Sequence, residues 1–292
     1  MNQLRALSGR MTESLPLATF ARLLRRKNGL LGSVLLSVVC LAALLAPVIS
    51  PYDPDTMHAQ DRIQFMNQKY LLGTDMYGRD ILSRIIWGAR VSIYVGLISV
   101  SIGLAVGIPL GLVAGYRGGL IDEVIMRIMD SMMAFPAILL ALVIVAVLGF
   151  SIQNLMVAIG TVYIPEFARV VRGSVLSARE KNYVEASRSC GDSDSHIMFK
   201  EILPNCAAPL IVQTTINFAY AILYEAFLSF LGLGVQPPTP AWGYMLNEAR
   251  DFLTAAPWMA VFPGLAIFFT VLSFNLFGDA LRDILDPRFQ TG

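Results

Sequence analysis

Four residues with polar tips, Gln213, Asn217, Tyr220 and Tyr224, recur at spacings of four, three and four within an apolar stretch. On an α-helix this spacing aligns them in one narrow stripe. Amides and phenols exchange hydrogen bonds while carrying little fixed charge, so the chemistry they offer is transient polar contact. In a bilayer such groups face protein or water, never lipid. The stripe therefore either seals against sister helices or lines a solvated path. Glu225 lies a quarter-turn off the stripe and is ionisable inside a span, which makes it a candidate for the same path. Its position near the span's end also suits a hydrogen-bonded or snorkelling structural carboxylate. No nucleophile–base constellation and no paired intramembrane carboxylates accompany these residues, so no catalytic residue is assigned. A proton-driven carrier would hold more buried charge.

A second set, Tyr183 to Asn205, is the longest polar interruption in the second half of the chain. Glu185, Ala186, Ser187 and Arg188 suit a short helix, and Gly191 supplies the left-handed residue that ends it. Asp192, Ser193 and Asp194 offer N-caps for a second helix, whose apolar side is Ile197, Met198, Ile202 and Leu203. Pro204 is expected to stop that helix. The prediction is a helical knuckle projecting from a membrane. On shape alone it reads as an ordinary connection. None of the four lysines follows a glycine, so there is no phosphate-binding Gly-Lys-Ser/Thr loop and ATP is not bound by this chain in that way.

The elements that must position these groups are membrane helices. Of 292 residues, 55% are hydrophobic and 15% charged, and the mean hydropathy is +0.62. Soluble domains carry about 25% charged residues. The net charge of +1 and its distribution give no nucleic-acid surface. Residues 1–28 form a basic leader, and the apolar run 29–49 is too long for a signal-peptide core and fits a first span. Residues 50–90 form a long polar segment outside the cytoplasm. The remaining spans are expected at about 91–116, through Gly149 with Pro136 bending it, at 152–171 interrupted by Pro165 and Glu166, at 209–233, and at 257–277. Together these make a core of five spans over 91–280, with a cytoplasmic loop at 173–207 and a tail at 281–292. Sixteen of the 22 lysines and arginines fall on the segments assigned to the cytoplasm, which places both termini inside.

Within the second span, Ser99, Gly103, Gly107, Gly111 and Gly115 recur at every fourth position, a face that lets another helix approach closely. Asp80 is placed to cap a helix beginning at Ile81, and Arg79, Asp80 and Arg84 read as a structural ion cluster. Arg127 and Asp130 are spaced to pair on one helix face. Residues 234–257, with Gln236-Pro237-Pro238-Thr239-Pro240 and Trp242, form a rigid outer connection. Cys40, Cys190 and Cys206 are scattered, and His58 and His196 are the only histidines, so neither a disulfide framework nor a metal site is indicated.

Longer stretches carry a resemblance. Glu185-Ala186, Gly191 and Leu203-Pro204 fit the conserved cytoplasmic loop of ABC importer permeases, with Ser187 at its second alanine and Glu201 at its isoleucine. LLGTDMYGRDILSRIIWGARVSI (71–93), FLSFLGLGVQPPTPAWGYML (227–246) and FNLFGDALRDILDPR (274–288) resemble the second permease subunit of dipeptide, oligopeptide and nickel ABC importers. The resemblance implies an all-α fold of about six transmembrane helices in a bacterial inner membrane, with the type I importer architecture. It implies that residues 183–205 dock on a cytoplasmic ATPase through Glu185, Ala186, Gly191, Leu203 and Pro204. Two ATPases, using ATP and Mg, would serve a heterodimer of this chain with a homologous permease. A substrate-binding protein would dock outside, on 50–90 and 234–257. The cargo implied is peptide, with nickel or a metal–chelator complex as the alternative. The alternative of another class is an ATP-independent channel or secondary carrier.

Overall fold

The computed structural model describes residues 23–24 and 26–285; most of the basic leader, including Arg5, Arg10, Arg22 and Arg25, and the tail with Arg288 lie outside the described residues. In chain order the helices are α1 (Lys27–Ile49), α2 (Ile81–Arg117), α3 (Gly119–Met133), α4 (Ala137–Leu148), α5 (Ile152–Ala178), α6 (Asn182–Ser189), α7 (Ala207–Phe230), α8 (Trp242–Ala249) and α9 (Trp258–Leu285). Among the described residues five helical runs are long and apolar enough to cross a membrane, six if α3 and α4 count as one bent span.

The small-residue face of α2 decides between five and six. A Cβ on Gly103 would lie 2.8 Å from the Tyr163 Cβ, and on Gly107 2.7 Å from the Phe167 Cβ. On Gly111 and Gly115 it would lie 2.8 Å from the Cβ atoms of Val171 and Val175. The backbones of α2 and α5 thus touch along four turns, as the fourfold spacing predicts. Each contact joins residues sixty apart, and both numbers rise together, so α2 and α5 run parallel. The chain between two parallel neighbours must return across the layer. The twelve residues of α4 rise only about 18 Å, less than a hydrocarbon core of about 30 Å. The α3–α4 pair, bent by 89°, makes the return crossing together.

This corrects the expectation of one third span bent at Pro136. The helix breaks outright at Ala134–Pro136, where the proline lacks the N–H that would continue it. Arg127 does not pair with Asp130. Asp130 instead accepts from Arg169 Nη2 at 2.6 Å, and Arg127 lies 3.6 Å from Glu123. The α5 register brings Arg169 and Arg172 alongside α3, where Arg172 also holds Asp122 through both carboxylate oxygens.

Two prolines expected to interrupt helices do not. α5 runs unbroken through Pro165. Pro204 sits in a 3-10 turn (Leu203–Cys206) that follows a π-type stretch (Ile197–Ile202), and Asp194–Phe230 is one helical run. Wider and tighter turns on either side of a proline absorb its missing hydrogen bond.

At the end opposite α6, the segment between α1 and α2 folds over the bundle. Asp80 caps α2, accepting from the Ser83 backbone N–H at 2.8 Å. This helix starts ten residues before the expected span. Trp242 is buried: its indole lies against Gly88 and donates to the Ile85 carbonyl at 2.9 Å. The ion cluster expected of Arg79, Asp80 and Arg84 forms without Asp80, which is spent on the cap: Arg79 pairs with Asp75 and with both carboxylate oxygens of Glu248 at 2.7 and 2.8 Å, and Arg84 lies 3.9 Å from each of these acids.

Candidate functional site

The stripe on α7 faces α5. Gln213 Nε2 donates to Asn217 Oδ1 at 2.8 Å and to Glu166 Oε2 of α5 at 3.2 Å. Tyr224 stacks on Tyr163 of α5 with ring centroids 6.1 Å apart, and Tyr220 lies 6.1 Å from Tyr224. All four predicted stripe residues therefore belong to one polar and aromatic row shared between two helices. Their exposure differs along it. Asn217 is fully buried, Gln213 and Tyr224 are half-buried, and Tyr220 is 48% exposed. Asn217 Nδ2 and the Tyr163 hydroxyl are buried and make no hydrogen bond among the described residues.

Glu225 stands apart from this row. It is completely enclosed between α2 and the turn after α7, accepting from Ser229 Oγ at 2.9 Å and from Ser92 Oγ at 3.3 Å. Ser229 Oγ in turn accepts from the Val235 N–H, so this carboxylate organises a helix end and the following loop.

The knuckle is built as two short arms. α6 ends at Ser189, and Gly191 takes φ +86°, with the Asp192 N–H returning to the Ser187 carbonyl at 3.2 Å. No atom outside its neighbours lies within 4 Å of a Cβ built on Gly191, so glycine is needed there for its backbone angle and not for space. Of the three candidate caps, Ser193 serves, accepting from the His196 N–H. Val184, Ile197 and Ile202 turn inward and are fully buried. Glu185, Ala186 and Gly191 are exposed at the tip, Pro204 is exposed at the base, and Leu203 is half-buried against the core.

Three membrane helices converge on this knuckle. α5 leads into it, and α7 continues out of its second arm. The last turn of α2 is tied to it by Tyr116, whose hydroxyl donates to Asp194 Oδ1 at 2.9 Å and whose ring lies under the Arg188 guanidinium. Arg179 Nη1 adds a bond to the Gly115 carbonyl at 3.0 Å. Sequence reasoning passed over Tyr116, and it read Glu166 only as an interruption of a span. An ionisable side chain in mid-span was the signal that marks Glu166.

Comparison with known proteins agrees with this architecture. Residues 107–291 match the family described as binding-protein-dependent transport system inner membrane component. Residues 17–69 match the N-terminal TM domain of oligopeptide transport permease C. A dipeptide transport system permease of Alkalihalophilus pseudofirmus is 45% identical over 272 residues, 93% of this chain and 90% of the relative. A di/tripeptide transport system permease of Pseudomonas aeruginosa is 46% identical over 94% of this chain and 93% of its own length. A glutathione transport system permease of Pectobacterium atrosepticum is 44% identical, covering 92% and 90% respectively. In fold, the chain is similar to an inward-facing structure of the MetNI methionine ABC transporter, with TM-score 0.57 and 19% identity over 70% of this chain and 98% of that one. A multi-pass inner-membrane protein, this chain belongs to the binding-protein-dependent transport system permeases, on the branch of the C-type peptide ABC permeases.

Proposed function

We propose that this chain forms half of a translocation path for peptides and couples that path to ATP hydrolysis on separate cytoplasmic subunits. The observation that carries the proposal is the convergence of α2, α5 and α7 on one knuckle. A load applied to its exposed tip, at Glu185, Ala186 and Gly191, reaches all three helices through rigid links. Packed helices respond to such a load as bodies, by rocking, and not by local yielding. Gln213, Asn217, Tyr220 and Tyr224 lie on two of those helices' shared face, so the same motion moves the polar row.

The remaining assignments follow from this one. The knuckle end is cytoplasmic, in line with the clustering of lysine and arginine there, and both termini lie on that side. One knuckle engages one ATPase, so two ATPases using ATP and Mg call for a second, homologous permease. The segment 50–80 and the α7–α9 connection form the outer surface on which a substrate-binding protein docks. Peptide is the cargo because relatives spanning nearly the whole chain are named for dipeptides, tripeptides and peptides.

Gly191→Val tests the coupling. The substitution meets no neighbour, and its cost is the left-handed backbone angle, about 1–2 kcal/mol for a residue with a Cβ. The variant inserts and assembles with the second permease, while ATPase co-purification and peptide uptake in proteoliposomes fall about tenfold. Wild-type uptake and ATPase recovery at equal expression would overturn the docking assignment.

A further inference from the structure

Two acidic side chains that α3 turns toward α5 are paired. Asp122 and Asp130 of α3 hold Arg172 and Arg169. Glu166, near the middle of α5, has no lysine, arginine or histidine nitrogen within 4 Å among the described residues. It is half-buried, and its neighbours are neutral: Gln213 Nε2 at 3.2 Å, the Asn217 side chain beside it, and the Tyr163 and Tyr224 rings within electrostatic reach. Two of those neighbours, Asn217 and Tyr163, are fully or almost fully buried and have a hydrogen-bonding atom with no partner. Gln213 also lines a cleft of about 450 Å³ between α5, α7 and α9, with Val170 (one helical turn from Glu166), Val212, Ile216 and Arg282 in its wall. The cleft volume lies in the range of small-molecule sites.

A lone carboxylate inside a membrane helix is costly and calls for a complement. Here it accepts from the Gln213 amide N–H and lies near phenol oxygens, which accept hydrogen bonds, and aromatic faces, which attract cations, so its charge is solvated only by neutral groups. The fitting complement is a compact cation with several N–H donors. A divalent metal takes several charged oxygens or imidazoles, and a single carboxylate among amides and phenols does not supply them.

We propose that Glu166, with Gln213, Asn217 and the rings of Tyr163, Tyr220 and Tyr224, forms a transient subsite for the α-ammonium group of a passing peptide. The proposal rests on the reading of the α7 row as the translocation face. The subsite holds the one group common to all unblocked peptides and leaves their side chains unread. Its single hydrogen-bonded carboxylate, partly open to solvent, holds the ammonium briefly and releases it.

The test uses the complete transporter with its partner subunits, with Cys40, Cys190 and Cys206 replaced by serine and Tyr220→Cys as the reporter. A cationic trimethylammonium-ethyl and an anionic sulfonatoethyl methanethiosulfonate are compared, each normalised to its rate on a free thiol. The cationic reagent is expected to be favoured about fivefold beyond that normalisation. The preference disappears in Glu166→Gln and persists in Glu166→Asp. Alanyl-alanine, delivered with binding protein and ATP, slows the cationic reagent only when residue 166 is acidic. If the reporter reacts without charge preference, or equally in Glu166→Gln, the ammonium subsite is wrong and the translocation face stands. A reporter unreactive in every state removes the translocation face, and the subsite with it. Loss of the complex on Glu166→Gln would assign Glu166 to a cation of the partner permease and overturn the proposal.

Discussion

Two regions of this molecule bury polar side chains, and they satisfy them in opposite ways. At the far end, Arg79 lies between Asp75 and Glu248, and Arg84 lies 3.9 Å from each of the same carboxylates, so the charges balance within one cluster. In the membrane row Glu166 meets only neutral groups, and Asn217 and Tyr163 keep unused hydrogen-bonding atoms. The first arrangement locks the segment before α2 onto α8 by pairing each buried charge with an opposite one, although Arg84 Nε and Nη2 make no hydrogen bond. The second leaves a carboxylate without a counter-charge where the bilayer makes that most expensive. Burial and unfilled hydrogen bonds occur in both regions and do not separate structural from functional polarity; the presence or absence of a counter-charge does.

The comparison is broken most forcefully at Arg79. Arg79→Met removes the cation between two buried carboxylates and leaves Arg84 alone to neutralise them. Losing one partner of a buried pair costs about 3–5 kcal/mol, so the thermal unfolding midpoint of the solubilised transporter drops sharply. The double variant Arg79→Met, Glu248→Gln recovers part of the loss, because it also removes one stranded charge. A double variant no better than the single one would show that the arginine stem's packing, and not charge balance, holds this end together.

A smaller effect is expected at Asn217. Hydrogen bonds between membrane helices average only about 0.6 kcal/mol, and Asn217→Leu gives up a side-chain bond within α7 while removing a buried Nδ2 that makes no hydrogen bond. Its unfolding midpoint stays close to wild type, while peptide uptake falls. A midpoint as low as that of Arg79→Met would make the row a structural seal and erase the contrast between the two regions.

The legibility of these regions follows the range of the forces that shape them. The Ser99–Gly115 face was readable because a fourfold repeat has one cheap explanation, close backbone contact, and it lies against α5 as expected. The Asp80 cap and the Gly191 turn were readable because each rests on a bond or angle within four residues. The Arg127–Asp130 pairing failed because local spacing is blind to α5, whose parallel register brings Arg169 to Asp130. Pro165 and Pro204 misled for a related reason. Proline penalties come from isolated helices, and here adjustments in the surrounding turns absorb them. Trp242 was legible only as part of a rigid connection, because nothing in its own loop announces Gly88, the flat site on α2 that receives it. The stripe on α7 was legible as a row; its partner Glu166 was not, since its relation to Gln213 exists only after α5 and α7 pack.

The finest distinction lies at the exposed rim of the far-end region, and pH reads it. Asp61 accepts from Lys69 Nζ at 2.6 Å and from the Tyr70 hydroxyl at 2.8 Å, and its backbone carbonyl accepts from Thr74 Oγ1. The hydrogen bond from Lys69, followed by that from Tyr70, holds the Asp61 carboxyl below its ordinary value. A carboxylate depressed in the folded state contributes stability that is fully present above the unfolded value of about 3.9, and loses it as pH falls through the folded value. Because Asp61 lies at the surface, solvent screens the pair and the effect is local and small. Hydrogen exchange of residues 58–74, corrected for intrinsic rates, should show protection that is flat above about pH 5 and weakens as pH drops below about 4. Asp61→Asn should remove that acid-side slope and leave the Arg79 cluster protected. The same acid slope in Asp61→Asn as in wild type would show that the Asp61 contacts are not its origin and overturn this reading.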